Sequence, residues 1–162
     1  MRSVLVAFGL LFALATGAHA QDISRIEVTE FGIYAVDVST QGSNSAGIGQ
    51  STVSNPRLAV STHTVPAQRG VTFGFKYRVI GSSAGNEVEL TKITTFPPPG
   101  LRPPGASGPV TKTERTLRNK VGETRFTSYV LSNDYEVVPG VWTIELWAGG
   151  RRLASESFTL TK

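Results

Sequence analysis

Strict alternation of apolar and other residues over 71–79 constrains this chain more than any other feature. Apolar side chains occupy every second position from Val71 to Val79, and polar or small residues fill the positions between them. A period of two places successive side chains on opposite faces of a β-strand, whereas an amphipathic helix repeats every 3.6 residues. The pattern therefore predicts a half-buried strand whose apolar face is directed toward a core.

The same period returns near the C-terminus, over 142–148. Gly149-Gly150 follows, and two consecutive glycines are typical of a tight hairpin turn. The segment 151–160 is the predicted returning strand. Because Trp142 and Trp147 are separated by an odd number of positions, the alternation places Trp142 in the core and Trp147 on the outer face.

Further strands are predicted on both sides of these segments. The strand at 88–96 follows the turn at 81–86, and we expect it to form a hairpin with 71–79. Weaker strand patterns are located as follows: 23–38, 57–62, 112–117 and 124–131. A change of phase at Phe31-Gly32 in the first of these indicates a β-bulge.

Seven or eight short, mostly antiparallel strands separated by Gly and Pro predict an all-β, immunoglobulin-like sandwich, with a small closed barrel as the alternative.

Two segments fall outside the strand pattern. Ser39 to Pro56 is predicted to be a long polar loop. The proline-rich segment at 97–109 is expected to be extended and stiff, and to cross between the sheets or follow an edge. The predicted core consists of Phe73, Phe75, Tyr77, Val79, Val88, Leu90, Phe126, Trp142, Ile144, Leu146 and Phe158.

The N-terminal twenty residues carry the three parts of a cleavable signal peptide. A positive start at Met1-Arg2 precedes an apolar run over 4–15, and Ala18-His19-Ala20 is a small-x-small cleavage pattern. The apolar run is much shorter than the roughly 20 residues of a spanning helix. We predict a signal peptide at 1–20 and a single sandwich domain at 21–162. The chain has no cysteine, which favours the bacterial periplasm over a disulfide-rich extracellular setting, with release to the medium as the second choice.

Four stretches of the sequence resemble an uncharacterised family of small exported bacterial proteins, known as a domain of unknown function. The stretches are Phe31-Gly32-Ile33-Tyr34, Phe73-Gly74-Phe75, Pro97-Pro98-Pro99-Gly100-Leu101, and the run from Val138 to Trp147 that contains Pro139-Gly140-Val141-Trp142. The resemblance covers nearly all of the mature chain. It implies an immunoglobulin-like fold and export, and it implies no activity.

Catalytic and metal-binding chemistry finds few candidate residues. His63 is the one histidine after the signal peptide and cysteine is absent, so the usual zinc ligand sets and a cysteine nucleophile are excluded and no metal or cofactor is expected. We interpret His63 as a surface histidine at a strand end. Glu87 and Glu89 share a strand face at a spacing that suits paired carboxylates, and Asp134 and Glu136 flank Tyr135. The alternative function is accordingly an enzyme that acts on cell-envelope polysaccharide, with Glu87 and Glu89 as its acids.

A non-catalytic recognition or accessory module is the preferred interpretation. An outward Trp beside arginines is a common contact surface in protein interfaces. The predicted partner-binding residues are Glu145, Trp147, Arg151 and Arg152, with Leu101 and Arg102 of the proline-rich segment as an adjoining wall. The competing hypothesis is that Trp147 packs under that segment. We expect the partner to be another exported or envelope protein, or a glycan, and no nucleic acid.

Overall fold

The computed structural model describes residues 23–162, except for the side chains of Thr40 and Gln41. These residues form nine β-strands and one 3-10 helix, Asp134–Glu136. The strands are β1 (Ile23–Ser43), β2 (Gly49–Val60), β3 (Thr64–Pro66), β4 (Thr72–Gly81), β5 (Glu87–Thr95), β6 (Lys112–Lys120), β7 (Thr124–Val130), β8 (Gly140–Ala148) and β9 (Arg151–Thr161).

The strands build two sheets that pack face to face, which confirms the predicted sandwich. Sheet A has the order β2-β1-β4-β7, and sheet B has the order β3-β9-β8-β5-β6. All pairings are antiparallel except that of β3 with β9. The alternating segments place their apolar faces between the sheets, as predicted. The fully buried side chains include Phe73, Phe75 and Tyr77 of β4, Leu90 of β5, Trp142, Ile144 and Leu146 of β8, and Phe158 of β9.

One predicted core residue lies on the other face of its strand. Phe126 is half-buried on the outer face of sheet A, where its ring packs against Tyr34 with 4.5 Å between centroids. The inward positions of β7 are instead Thr127 and Tyr129, which are buried. The prediction for Phe126 was wrong because it assumed that a large aromatic side chain must face the core. Phe126 and Tyr34 instead cover each other on the outer face.

The predicted hairpin of β4 and β5 does not form. β4 pairs with β1 and β7, whereas β5 pairs with β6 and β8, so the connection at 82–86 crosses from sheet A to sheet B. The connection at 121–123 crosses in the same way between β6 and β7. A short turn between two alternating segments is compatible with a hairpin in one sheet and with a crossing between the two sheets. Both arrangements bury the apolar faces of the two strands. By contrast, the predicted hairpin of β8 and β9 is confirmed, with Gly149 and Gly150 both at positive φ.

The segment 39–56 was predicted to be a loop and is instead most of a long β-hairpin arm. β1 continues to Ser43 and pairs with β2, which begins at Gly49. The tip of the arm returns to the body of the sandwich, where Ile48 is buried in the core. The polar composition misled the prediction because β2 is an edge strand without a fully buried side chain, so neither of its faces needs large apolar residues.

The register of β1 is regular at Phe31-Gly32, where the sequence indicated a bulge, and the nearest register shifts lie on either side of that position. The register with β4 shifts between Val28 and Glu30, and the register with β2 shifts between Ile33 and Tyr34. Gly32 has a φ of 143°, and a Cβ atom there would overlap the carbonyl oxygen of Val60. Glycine is required at this position because both the backbone conformation and the close approach of β2 exclude a side chain.

The proline-rich segment turns twice within sheet B, and the expectation of an extended crossing segment was wrong. It connects β5 to β6, which are neighbours in the same sheet. Turns at 98–99 and 104–105 reverse the chain, and Leu101 pairs with Val110 in an isolated antiparallel bridge. Gly100, at a φ of 103°, allows the first reversal.

The predicted signal peptide and its cleavage site lie outside the described residues. Across 23–162 the structure contains no helix with the length and apolar character needed to cross a membrane.

Candidate functional site

The outer face of sheet B presents a tryptophan near the hairpin end of its middle strand, β8. β8 buries Trp142, Ile144 and Leu146, so the positions between them point away from the core. Trp147 is half-buried on this face. The strand register places it between Thr91 of β5 and Arg152 of β9. The predicted orientation of both tryptophans is therefore confirmed.

Glu145 orients the side chains around it. Its Oε2 atom accepts a 3.2 Å hydrogen bond from the indole Nε1 of Trp147. Its Oε1 atom accepts a 2.9 Å hydrogen bond from Nη1 of Arg152. The side chain of Glu145 is 15% exposed, whereas that of Arg152 is 57% exposed, so the carboxylate is shielded beneath the guanidinium. A charge-assisted pair of this kind fixes the two partner side chains relative to each other.

The neighbouring strand adds two side chains to this surface. Ile93 of β5 lies opposite Glu145, as Thr91 lies opposite Trp147. We call the set Thr91, Ile93, Glu145, Trp147 and Arg152 the Trp147 face. Sequence analysis identified its three members on β8 and β9 and missed the two on β5, because the pairing of β5 with β8 is not encoded in either strand alone.

Three other predicted partner-binding residues lie elsewhere. Arg151 points to the start of β1, where Nη2 donates to the carbonyl oxygen of Ile23 at 3.0 Å. Leu101 is fully buried, so its side chain offers no surface to a partner, and its assignment is corrected. Arg102 is exposed but belongs to the proline-rich segment, which lies far from Trp147.

The proline-rich segment sits at the opposite end of β8. Pro97 packs against Gly140 so closely that a Cβ atom added to Gly140 would lie 2.6 Å from the Cβ atom of Pro97. The ring of the preceding Phe96 packs against Trp142 with 4.9 Å between centroids. Trp147 is five positions beyond Trp142 along β8, which corresponds to a rise of roughly 17 Å. The competing hypothesis that Trp147 packs under this segment is therefore wrong.

His63 is exposed in the connection between β2 and β3, directly before Thr64, and pairs with a carboxylate that the sequence did not indicate. Its Nε2 atom lies 2.8 Å from Oε2 of Glu156. Its ring stacks on Phe31, with centroids 4.1 Å apart and planes 15° from parallel. The pair joins the surfaces of both sheets. The two partners are 93 positions apart in the sequence, which explains why local sequence patterns gave no signal.

The candidate acids of the alternative function occupy an open surface. Glu87 and Glu89 are both exposed on β5, and Glu89 lies 3.7 Å from Nε of Arg118. Cross-strand ion pairs of this kind are a common feature of solvated sheet faces. The two carboxylates share a face, as predicted, but they do not oppose each other across a cleft.

Glu136 has a structural position. It is fully buried and accepts hydrogen bonds from the hydroxyl of Tyr129 at 2.9 Å and from the backbone N–H groups of Ser132 at 2.9 Å and Asn133 at 2.8 Å. Burial, together with the Glu136 carboxylate, raises the pKa of Tyr129. The adjacent Tyr135 hydroxyl donates to the carbonyl oxygen of Gly47 at 2.9 Å. This corner therefore holds the tip of the β1–β2 arm in place.

Comparison with known proteins assigns the chain to a family. Residues 23–160 match the model of the family described as "Domain of unknown function (DUF3859)". The chain is a member of the DUF3859 family. The match spans the whole described sandwich except its last two residues, in agreement with the resemblance seen in the sequence.

Among solved structures, the DUF3859 domain is similar to an immunoglobulin-like protein from Pseudomonas aeruginosa. The two are 24% identical with a TM-score of 0.59, over 88% of this chain and 99% of the other. This similarity supports the immunoglobulin-like fold. No match was found among curated proteins.

Metal-ligating side chains do not converge in the described part of the DUF3859 domain. Across residues 23–162, no three His, Asp or Glu side chains form a group that could hold a metal ion.

Proposed function

We propose that this protein is an exported, non-catalytic recognition module that contacts its partner through the Trp147 face. The observation that carries the proposal is the shared carboxylate of Glu145, which holds the indole of Trp147 and the guanidinium of Arg152 at the same time. Both partner side chains stand on the antiparallel pair β8–β9, whose register shifts between Leu146 and Trp147.

This arrangement lowers the entropic cost of an interface. A free tryptophan or arginine side chain loses rotamer freedom when a partner orders it, at a cost of about 0.5–1.5 kcal/mol each. At the Trp147 face these rotamers are restrained before contact. Tryptophan and arginine are also the residue types most enriched at the energetic centres of protein interfaces.

The chemistry of the face favours a protein partner over a glycan. Glu145 accepts one hydrogen bond at each carboxylate oxygen, and the indole N–H of Trp147 is already donated. The face therefore offers mainly the indole ring, Ile93 and the outer edge of a guanidinium. Among its five members only Thr91 carries a neutral hydroxyl or amide group of the kind that a sugar ring would engage. We infer that the partner is another exported or envelope protein. Export itself is inferred from the signal-peptide pattern at 1–20.

Site-specific photo-crosslinking tests the proposal. The full-length chain is expressed in a Gram-negative host with p-benzoylphenylalanine at Ile93, and irradiated cells are analysed by mass spectrometry. We expect one discrete adduct with an exported or envelope protein. Position 124 is the matched control, because Thr124 is exposed on the outer face of sheet A.

The outcomes separate the alternatives. Equal adducts from positions 93 and 124, or none from 93, contradict the proposed face. Heterogeneous adducts that are removed by glycan-degrading enzymes identify a glycan partner and contradict the protein assignment. Retention of residues 1–20 on the recovered soluble chain contradicts export.

A further inference from the structure

A polar cleft lies between the two sheets, on the side where β6 and β7 form their outer edges. The cleft is partly open to solvent and has a volume of about 70 Å³, which is sufficient for a small ion with attached water. The inner faces of β5 and β6 form one wall, β7 forms the opposite wall, and the tip of the β1–β2 arm closes one end. The side chains used below are Lys92, Arg115, Thr113, Asn44 and Gln50, with Ser128 on the opposite wall.

Lys92 occupies a core-facing position of β5. The adjacent positions on the same face, Leu90 and Thr94, are buried. The ammonium of Lys92 donates a 2.6 Å hydrogen bond to the carbonyl oxygen of Ser128 across the cleft. Within residues 23–162, no carboxylate forms an ion pair with this lysine. The carbonyl satisfies one of the three N–H donors of this partly exposed side chain, and its charge has no anionic partner within residues 23–162.

A second cation faces the first. Arg115 of β6 is the direct cross-strand partner of Lys92, and like charges in that relation destabilise an antiparallel pair. Burial, reinforced by the Arg115 guanidinium, lowers the pKa of Lys92 to about 8. Glu114 also borders the cleft, but its carboxylate pairs with Lys112 at 2.8 Å.

We propose that this cleft binds a small oxyanion, a carboxylate or a phosphate, between Lys92 and Arg115. An oxyanion there supplies the negative charge that the two cations lack, and Arg can hold it through two parallel hydrogen bonds. The amide side chains of Asn44 and Gln50 and the hydroxyl of Thr113 border the same space and supply further donors. The site is independent of the Trp147 face, which lies on the outer surface of sheet B.

Chemical-shift mapping of the intact, uniformly ¹⁵N-labelled mature chain tests the proposal without a destabilising substitution. Inorganic phosphate, acetate and a tripeptide with a free C-terminal carboxylate are titrated separately at constant ionic strength, with chloride as the reference. We expect saturable shifts confined to the backbone amides of 44–51, 92–94, 113–115 and 128. Saturation by phosphate alone identifies a phosphate site, and saturation by acetate and the tripeptide identifies a carboxylate site. Tighter binding of the tripeptide than of acetate indicates the C-terminus of a polypeptide, and tighter binding of acetate indicates a free acid.

Two variants then assign the binding to the two cations. Arg115→Gln is expected to weaken binding at least tenfold, and Lys92→Met is expected to abolish it. Arg118→Gln is the matched control, because Arg118 is on the same strand and its side chain is 82% exposed. Shifts that rise linearly without saturation, shifts spread over the exposed arginines, or equal weakening by Arg118→Gln would overturn the proposal.

Discussion

The hydroxyl of Tyr77 on sheet A donates a 2.7 Å hydrogen bond to Oδ1 of Asn119 on sheet B. Both residues are buried, so this bond crosses the core and joins the two sheets. Tyr77→Phe removes the donor and leaves a buried acceptor without it. We expect a loss of about 1–3 kcal/mol in the free energy of unfolding, measured by denaturant titration. An unchanged midpoint would show that the bond does not contribute to stability.

Trp142 is the largest fully buried side chain of the core. Its ring contacts Phe73, Phe96 and Tyr129, and its Nε1 atom donates to the carbonyl oxygen of Val138 at 3.0 Å. Trp142→Ala should lower the free energy of unfolding by about 3–5 kcal/mol. Val141→Ala on the same strand is the control, since Val141 is 55% exposed and should change stability by less than about 0.5 kcal/mol.

The Glu136 corner should determine whether the arm remains attached. Glu136→Gln replaces one accepting oxygen with an NH₂ group that faces donors, and we expect a loss of about 2–3 kcal/mol. Hydrogen exchange at Asn44 to Ser51 should accelerate in the same variant. Asp134→Asn is the control in the same 3-10 helix, because the Asp134 side chain is 87% exposed. Unchanged exchange at the tip would contradict the role given to Glu136.

Stability should rise and then fall as the pH increases above neutrality. Burial lowers the pKa of Lys92 to about 8, and an unfolded lysine titrates near 10.5. Between these values the unfolded chain binds more protons than the folded chain, so the free energy of unfolding rises with pH, by at most about 3 kcal/mol.

Burial raises the pKa of Tyr77 to about 12, against 10 for an unfolded tyrosine, so stability is lost as the pH rises above 10.

Denaturant titrations between pH 7 and pH 11 check this profile in a buffer without oxyanions. Lys92→Met should remove the rise between pH 8 and pH 10 and retain the later fall. Lys120→Met, a change at an exposed lysine of β6, should retain both. A wild-type stability that decreases steadily from pH 7 would contradict the environment assigned to Lys92.

Local alternation in the sequence predicted which face of a strand is buried, but not which strand it pairs with. The terminal hairpin was predictable because Gly149-Gly150 allows only a tight reversal. The turn at 82–86 carries no such restriction, and the destination of β5 depends on long-range packing. The arm was missed for a related reason: its tip is anchored by Ile48 and by Glu136, which are far apart in sequence.

The Trp147 face and the Lys92 cleft also differ in how far local sequence patterns predict them. The outward orientation of Trp147 could be predicted from the alternation of apolar and polar residues along β8. The Lys92 cleft did not, because a lysine in an alternating segment predicts a solvated position, and its neighbours Arg115 and Ser128 are brought to it by separate strands.

The most direct test of the Trp147 face compares stability with partner contact in Trp147→Ala. Crosslinking from position 93 and the melting temperature are measured in the same variant, with Val141→Ala as the reference. We expect a melting temperature within a few degrees of the parent and a crosslinked adduct reduced at least tenfold. A large drop in melting temperature would place Trp147 among the structural residues, and an undiminished adduct at normal stability would contradict its role in recognition.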